Sequence, residues 1–183
     1  GASVAKGDYL AFLDSDDTWF SWSARIFNEV IQRYGPDIVV GNKVKVRYGE
    51  EYCHRVACED MFEFYERHDI AAIQGVSFGA GTMIVKSDIF RSVHGFDPSL
   101  FLCEDLDFSL RLTLRCSVVA VRQPVTTACR VHSRNISADL RAHIRDLKTV
   151  AERVKGNLYP GDLVTIKRIL GLHLRSLSIR CVK

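Results

Sequence analysis

An apolar segment near the start of the chain runs directly into a dense acidic turn. Tyr9–Leu13 has the composition of a buried strand, and Asp14-Ser-Asp-Asp17 then places three carboxylates in four positions. Carboxylates repel one another at short range, and a hard divalent cation with oxygen ligands is a common reason for such a cluster. Because ligands of open α/β sheets bind at the carboxyl ends of strands, the segment predicts an α/β fold with a cation site here.

The acidic turn has a second interpretation that the residues alone leave open. Asp and Ser are favoured in tight turns and as N-caps, so the same segment could be a solvated turn before the following helix. Asp14 and Asp16 lie two positions apart, and both face one ion only if the chain leaves the strand between them. Asp17 is then expected to cap the helix or to support the other two carboxylates.

Composition limits the class of protein. The 183 residues are 47% apolar and 26% charged, which is typical of one soluble domain, or slightly more, with its own core. A net charge of +3 is too small to indicate a nucleic-acid partner. The six cysteines include no C-x-x-C pair, which predicts reduced thiols rather than a zinc site. Since no signal peptide and no apolar run of ~18 residues is present, we expect a cytoplasmic protein.

Hydrophobic periodicity predicts alternating strands and helices. Strands are expected at 9–13, within 37–46, and at 82–85, 117–121 and 125–131, and helices at 22–34, 59–68, 88–93, 104–116, 138–155 and 163–182. The segment Glu104–Cys116 is ambiguous, because its apolar residues alternate with polar ones as in a strand. Its acidic start and basic end suit a helix dipole, so we predict a helix there.

Four segments follow one another along residues 1–137. They are Lys6–Trp19 with its D-x-D turn, Gly81–Val85, the pair Val93–Asp97 and Cys103–Arg111, and Arg130–Ser137. The series resembles family 2 glycosyltransferases of the GT-A fold, in which a G-F-D turn precedes an E-D…R helix and an R-x-H…S segment follows. A lone D-x-D is a weak signal, whereas the four in series are specific.

The resemblance implies a fold and a domain organisation. We expect an α/β, GT-A-like mixed sheet flanked by helices, N-terminally truncated, with a helical C-terminal tail. A partial GT-A catalytic domain would then span residues 1–137, and a C-terminal helical region would span residues 138–183. Only residues 1–13 precede Asp14, where the family carries strands of its nucleotide pocket, so we expect weak binding of a nucleotide-sugar.

The resemblance also implies a reaction and a cation. An inverting glycosyltransferase moves a sugar from a nucleotide-diphosphate donor, which we expect to be a UDP-sugar, to a hydroxyl group in polysaccharide or glycolipid synthesis. Mn2+ or Mg2+ would stabilise the departing diphosphate. By this match Asp16 binds the metal, and Asp14 lies near the ribose or a metal-bound water. His132 is a third metal ligand, or it contacts the diphosphate together with Arg130.

The acidic pair Glu104-Asp105 would activate the acceptor. Asp105 matches the family's general base, which takes the proton of the attacking hydroxyl, and Glu104 is expected to orient the acceptor or the base. Without the resemblance, the same pair is simply favourable in the first turn of a helix. Arg111 lies too far along the helix to pair with Asp105, so an ion pair with another residue is an equal alternative for it.

The C-terminal stretch 163–183 is basic and amphipathic, and it contains no acidic residue. Such a helix can lie on an anionic membrane surface, which would suit a lipid-linked acceptor and a location at the inner face of the membrane. The alternative is a helix that packs on its own domain or on the part of the catalytic domain that we expect to be absent.

Two other functions fit parts of the sequence. A phosphatase of the haloacid dehalogenase type would use Asp14 as nucleophile and Asp16 as acid and base, although Asp17 stands where that motif has glycine. The chain could also be an inactive glycosyltransferase remnant, or a module that another chain completes.

Overall fold

The computed structural model describes residues 1–47, 61–112, 116–132 and 139–182. The strands are β1 (Tyr9–Ala11), β2 (Thr18–Trp19), β3 (Ile38–Val40), β4 (Lys43–Arg47), β5 (Met61–Tyr65), β6 (Met83–Lys86), β7 (Val118–Gln123) and β8 (Thr127–Val131). The helices are α1 (Ser23–Tyr34), α2 (His68–Ile73), α3 (Ser87–Ser92), α4 (Glu104–Arg111), α5 (Leu140–Lys155) and α6 (Leu163–Val182). A short 3-10 turn, Ala80–Thr82, leads into β6.

The main sheet has five strands in the order β1-β6-β3-β7-β5. Only β3 and β7 run parallel, and the other neighbours are antiparallel. All three residues of the central strand β3 are buried, as expected for an apolar strand covered on both faces. The expected mixed sheet flanked by helices is therefore confirmed.

A second, three-stranded sheet has the order β2-β8-β4. Thr18 pairs with Ala128 in the antiparallel β2–β8 ladder, and Lys43 pairs with Thr127 in the parallel β4–β8 ladder. Because β2 directly follows the acidic turn, this register brings the end of β8 beside residues 14–17.

Apolar side chains fill both faces of the main sheet and a third layer of helices. Helix α1 covers one face through Ile26, Phe27 and Val30. The opposite face packs against Phe90 of α3 and Phe108 of α4. The third cluster joins α4, α5 and α6, with these residues at its centre: Leu106, Leu110, Leu147, Val150, Ile166 and Ile169.

Helix α4 confirms the helical interpretation of the ambiguous segment, and residues 113–115 lie outside the described part. Its first turn carries three acidic residues and its last turn carries Arg111, as the helix dipole favours. Residues 106–110 are all buried. The helix is enclosed on both sides, which is why its apolar positions do not follow a one-sided helical pattern.

The predicted helix at 59–68 is wrong in its described part. Met61–Tyr65 forms β5, which pairs antiparallel with β7 and has a register irregularity between Met61 and Phe62. The apolar spacing of these residues resembled a helix, but aromatic side chains also favour strands and the partner strand β7 determines the outcome. Residues 59–60 lie outside the described part, and the other predicted elements are found within a few residues.

Helix α6 packs on the rest of the chain through one face. Ile166, Ile169, Leu170 and Leu177 are buried in the third cluster. This supports the packing alternative for the C-terminal stretch. None of the helices in the described residues combines the length and apolar character needed to cross a bilayer.

Candidate active site

The acidic turn lies between β1 and β2, where the chain has left the main sheet. The Asp17 N–H donates to the Asp14 carbonyl oxygen at 3.0 Å, which closes the turn. Asp17 does not cap the following helix, since α1 begins after Trp22 without a side-chain cap. The Asp17 Oδ1 instead accepts a hydrogen bond from the Arg130 N–H at 3.0 Å. This contact fixes the turn to β8.

Asp16 and His132 form the second contact between these segments. The His132 Nε2 lies 2.9 Å from the Asp16 Oδ2, and their side chains are 38% and 40% exposed. His132 directly follows β8, so the β2–β8 pairing delivers it to the acidic turn. The two residues predicted as metal ligands are thus adjacent and accessible from solvent. Arg130 is exposed on β8, two positions earlier.

Asp14 lies in an unfavourable electrostatic environment. Burial raises the pKa of its carboxyl group, repulsion from Asp17 and Asp16 raises it further, and the charge of Lys43 opposes this rise. Its Oδ2 faces the Gly79–Gly81 turn, where a Cβ on Gly81 would approach it to 2.9 Å. The glycine therefore leaves the space that the Asp14 carboxylate occupies.

The same glycine turn connects the acidic turn to the second acidic pair. A Cβ on Gly79 would lie 3.6 Å from the Lys43 Nζ and 3.9 Å from the Asp105 Oδ2. Asp14 and Asp105 therefore face opposite ends of one three-residue turn, with Lys43 interacting electrostatically with both. The two predicted acidic groups therefore lie around the same turn, and the space between Asp14, Lys43 and Asp105 is called the cleft below.

Glu104 and Asp105 begin helix α4, and Asp105 lies beside the Gly79–Gly81 turn. Burial, with added repulsion from Glu104, raises the pKa of Asp105 to about 7. The Leu106 N–H donates to the Asp105 Oδ1 at 2.6 Å, which holds this carboxylate at the helix start. Burial also raises the pKa of Glu104, whose Oε2 is buried and has no hydrogen-bond partner among the described residues. Among the described residues, that oxygen is left available to accept a hydrogen bond.

A cavity of about 240 Å³ opens beside the cleft at the carboxyl ends of β3 and β7. Its walls are formed by Val40–Lys43, Gly75–Ser77, Thr82 and Ala120–Arg122. Lys43 is common to the cavity and the cleft, and sequence analysis missed it. It belongs to the alternating run Lys43–Arg47, in which nothing distinguishes it from the other exposed basic residues.

Other residues singled out from the sequence have structural contacts. Arg111 pairs with Asp107 at 2.8 Å and donates to the carbonyl oxygens of Val93 and Gly95. The two tryptophans that follow the acidic turn pack against the core, with Trp19 against Phe27 at a centroid distance of 5.3 Å. Trp22 also packs there, and its Nε1 donates to the Val125 carbonyl oxygen at 2.9 Å.

The buried carboxylate of Asp107 organises the region below the cleft. Its Oδ1 accepts from the Arg153 Nη1 and from the Tyr159 hydroxyl, each at 2.6 Å. Arg153 also donates to the Asp97 Oδ2 at 2.6 Å, which ties the G-F-D turn to α5. Hydrogen bonds from Ser99, and then from Arg153, lower the pKa of Asp97 to about 2. Arg111, the arginine of the E-D…R pattern, therefore has a structural role, because it pairs with the Asp107 carboxylate.

A family model, "Glycosyl transferase family 2", matches residues 1–93. The chain therefore belongs to family 2 of the glycosyltransferases. The match includes the acidic turn, the glycine turn and β6, and it ends before α4.

Solved structures share the fold at low sequence identity. The crystal structure of S. aureus TarS 1-349 in complex with UDP-GlcNAc aligns with a TM-score of 0.67 and 14% identity over 94% of this chain and 49% of that one. The complex of TarS 1-349 with UDP aligns with a TM-score of 0.64 and 15% identity over 94% of this chain and 48% of that one. The chain thus spans about half the length of these structures. No curated protein sequence gives a significant match.

Proposed function

We propose that the chain contains the acceptor side and the metal site of an inverting glycosyltransferase. It would transfer a sugar from a nucleotide-diphosphate donor, most simply a UDP-sugar, to a hydroxyl group in polysaccharide or glycolipid synthesis. The observation that carries this proposal is the shared cleft, in which Asp14 and Asp105 face opposite ends of the Gly79–Gly81 turn. The family membership and the nucleotide-sugar bound in the TarS structure support the donor class.

The acidic turn has a donor set suited to Mn2+ or Mg2+. Asp16 offers a carboxylate oxygen and His132 offers an imidazole nitrogen only 2.9 Å away, while Asp14 and Asp17 add negative charge around them. Mutual repulsion of these carboxylates is relieved by a bound cation. When bound, the cation would neutralise charge on the departing diphosphate. Arg130, exposed on β8, is the residue we assign to the diphosphate itself.

Asp105 is proposed as the general base, and Glu104 as the residue that orients the acceptor hydroxyl. Asp105 lies at the helix start, where the Leu106 N–H fixes one oxygen and leaves the other, Oδ2, toward the cleft. The buried Oε2 of Glu104, which has no hydrogen-bond partner in the described part of the chain, would accept a hydrogen bond from the acceptor. Proton removal by Asp105 as the hydroxyl attacks gives direct displacement, and therefore inversion at the anomeric carbon.

The rival functions have less support. The antiparallel strand β6 lies between β1 and β3, and the family match covers the acidic turn. Both favour a transferase over a phosphatase that uses Asp14 and Asp16. A remnant, or a module that another chain completes, is the second candidate, because the chain spans about half of the matched structures.

The surface of α6 extends the proposal to the acceptor. Val164, Leu172 and Leu174 are exposed on this helix, where basic residues are also present. A contact with the inner face of a membrane through 163–183 would bring a lipid-linked acceptor to the cleft. Unchanged liposome co-sedimentation after deletion of 163–183 would contradict this extension.

A donor screen tests the proposed function. Nucleoside diphosphate release is measured with a panel of nucleotide-sugars and sugar acceptors, with Mn2+, with Mg2+ and with chelator. Asp16→Ala and Asp105→Asn are expected to abolish acceptor-dependent release, whereas Glu29→Gln, an exposed carboxylate on α1, serves as the matched control. Full release by Asp105→Asn would refute the assignment of the base. No release from any donor by the folded protein would favour the remnant.

A further inference from the structure

Three side chains of residue types that can bind a metal ion come together from distant parts of the sequence. Cys103 directly precedes α4, His143 lies on α5 and His173 lies on α6. One ligand atom from each residue can be chosen so that all three lie within 4.8 Å of one another. Cys103 and His143 are buried, and His173 is partly exposed. The group therefore has a solvent-facing side through which an ion could enter.

The spacing of the two imidazoles fits a shared ion. The His143 Nε2 and the His173 Nε2 are 3.3 Å apart. Two imidazole nitrogens bound tetrahedrally to one Zn2+ at about 2.0–2.1 Å each are separated by about 3.3–3.4 Å. The sulfur of a third ligand at about 2.3 Å would lie about 3.6 Å from each nitrogen. The three chosen ligand atoms lie within 4.8 Å of one another, so they would have to draw closer to complete that triangle.

We propose that Cys103, His143 and His173 form a binding site for a zinc-class divalent ion, with the fourth position open to water. One thiolate and two imidazoles are ligands that favour Zn2+ over Mg2+ or Mn2+. The site therefore differs in chemistry from the oxygen-rich acidic turn. Local spacing could not reveal it, because Cys103 precedes α4, whereas His143 lies on α5 and His173 on α6.

A bound ion would act on the position of the acidic pair. Cys103 is the residue immediately before Glu104 and Asp105, so an ion held by the two histidines would fix the start of α4 against α5 and α6. The backbone N–H groups of Phe101 and Leu102 are already held by the Asp146 Oδ2 of α5, at 2.6 and 2.8 Å. The ion would add a coordinate link beside this hydrogen-bonded one.

Metal content and cobalt substitution test the site in the full chain, purified without a polyhistidine tag. We expect about one equivalent of zinc per chain, and a thiolate-to-cobalt charge-transfer band when Co2+ replaces it. Cys103→Ser is expected to lose the band, and His173→Gln to weaken Co2+ binding at least tenfold. Cys116→Ser removes another buried thiol and is expected to keep both properties.

Two results would overturn the site. Folded wild-type protein that gives no charge-transfer band with excess Co2+ would show that the two histidines are only hydrogen-bonded. A band of full intensity in Cys103→Ser would assign the thiolate to another cysteine. Asp16→Ala should retain the band, and this variant separates the zinc-class site from failure of the proposed cation site in the acidic turn.

Discussion

Two aspartates of α4 sit two positions apart and have opposite surroundings. Asp107 is 1% exposed, and its carboxylate accepts hydrogen bonds from Arg111, Arg153 and Tyr159. Asp105 faces the cleft, with its Oδ2 toward the glycine turn and the repelling carboxylate of Glu104 beside it. Both oxygens of Asp107 are therefore hydrogen-bonded within the protein, whereas the Oδ2 of Asp105 faces the cleft where a ligand would bind.

The contrast gives a physical basis for the structural role of Asp107 and for the functional role proposed for Asp105. A buried charge with charge-assisted hydrogen bonds on both oxygens belongs to the fold, because breaking one partner leaves the others unpaired. A carboxylate held near like charges in a cleft stores unfavourable energy that a ligand can relieve. Asp→Asn should therefore lower transfer activity at position 105 and the free energy of unfolding at position 107.

Asp105→Asn is expected to have the largest effect. Loss of a positioned general base should lower the rate of acceptor-dependent transfer by about 10²–10⁴-fold. The free energy of unfolding should not fall, because Asn keeps the shape of the side chain and removes the charge that burial and Glu104 destabilise. Nucleoside diphosphate release and urea unfolding of the same preparation measure the two quantities. If Asp105→Asn lost stability as well as activity, the proposed difference between Asp105 and Asp107 would be wrong.

Asp107→Asn is the matched change on the core side of the helix. It leaves the guanidinium groups of Arg111 and Arg153 without their shared anion, and we expect a loss of about 3 kcal/mol in the free energy of unfolding. Urea titration monitored by circular dichroism gives this value. A variant as stable as the wild type would contradict the structural role assigned to the Asp107 carboxylate.

His68 extends the comparison to pH. Burial lowers the pKa of its imidazole to about 4, while the charge of Asp69 opposes this shift. The unfolded chain takes up this proton near the ordinary pKa of about 6.5, so between these values the unfolded state binds more protons. The contribution of His68 is therefore fully present above pH 6.5 and falls as the pH drops toward 4, by roughly 3 kcal/mol.

The measurement for His68 is urea unfolding at several pH values between 7 and 4. His68→Gln has no titrating group at this position, so its stability should decline less steeply over the window than that of the wild type. Gln can keep a hydrogen bond to the Ser109 hydroxyl, which lies 3.0 Å from the His68 Nε2. Parallel curves for the two proteins would show that the imidazole is not the group responsible.

Gly81→Ala should give the smallest effect and the most local one. Its new methyl group would come within 2.9 Å of the Asp14 Oδ2, so the carboxylate must rotate away from its position in the acidic turn. We expect Mn2+ affinity to fall about tenfold, with little change in stability, as measured by isothermal titration calorimetry. At Gly79 the nearest atoms are 3.6 Å or more from the added Cβ, so Gly79→Ala is the control. Equal affinities in the two variants would separate Asp14 from cation binding.

The local sequence was sufficient to predict the secondary structure of segments whose own residues determine it. The strand and acidic turn at Tyr9–Asp17 and the helix start at Glu104 were predicted from composition, charge and turn chemistry. The structure confirms these elements and brings their carboxylates into one cleft. The catalytic and metal-binding roles of the carboxylates stay predictions, because they depend on ligands and not on the fold alone.

Prediction from the sequence failed for residues whose structure or position depends on a distant segment of the chain. Met61–Tyr65 has apolar residues at spacings that suit a helix, yet pairing with β7 makes it a strand. Lys43 and the Cys103, His143 and His173 group have no local signal, because their positions relative to the cleft depend on β-sheet register and on helix packing. Such residues become visible only after the tertiary contacts are known.

The β2–β8 ladder also affects the order in which the molecule can assemble during synthesis. Asp16 and His132 are 116 positions apart in the sequence, and only the antiparallel register of β2 on β8 brings them together. The ribosome must therefore release β8 before the pair can form, long after the acidic turn has emerged. Closing so long a loop is entropically costly and slow relative to local helix formation. Until then, the nascent acidic turn must depend on solvent and counterions alone.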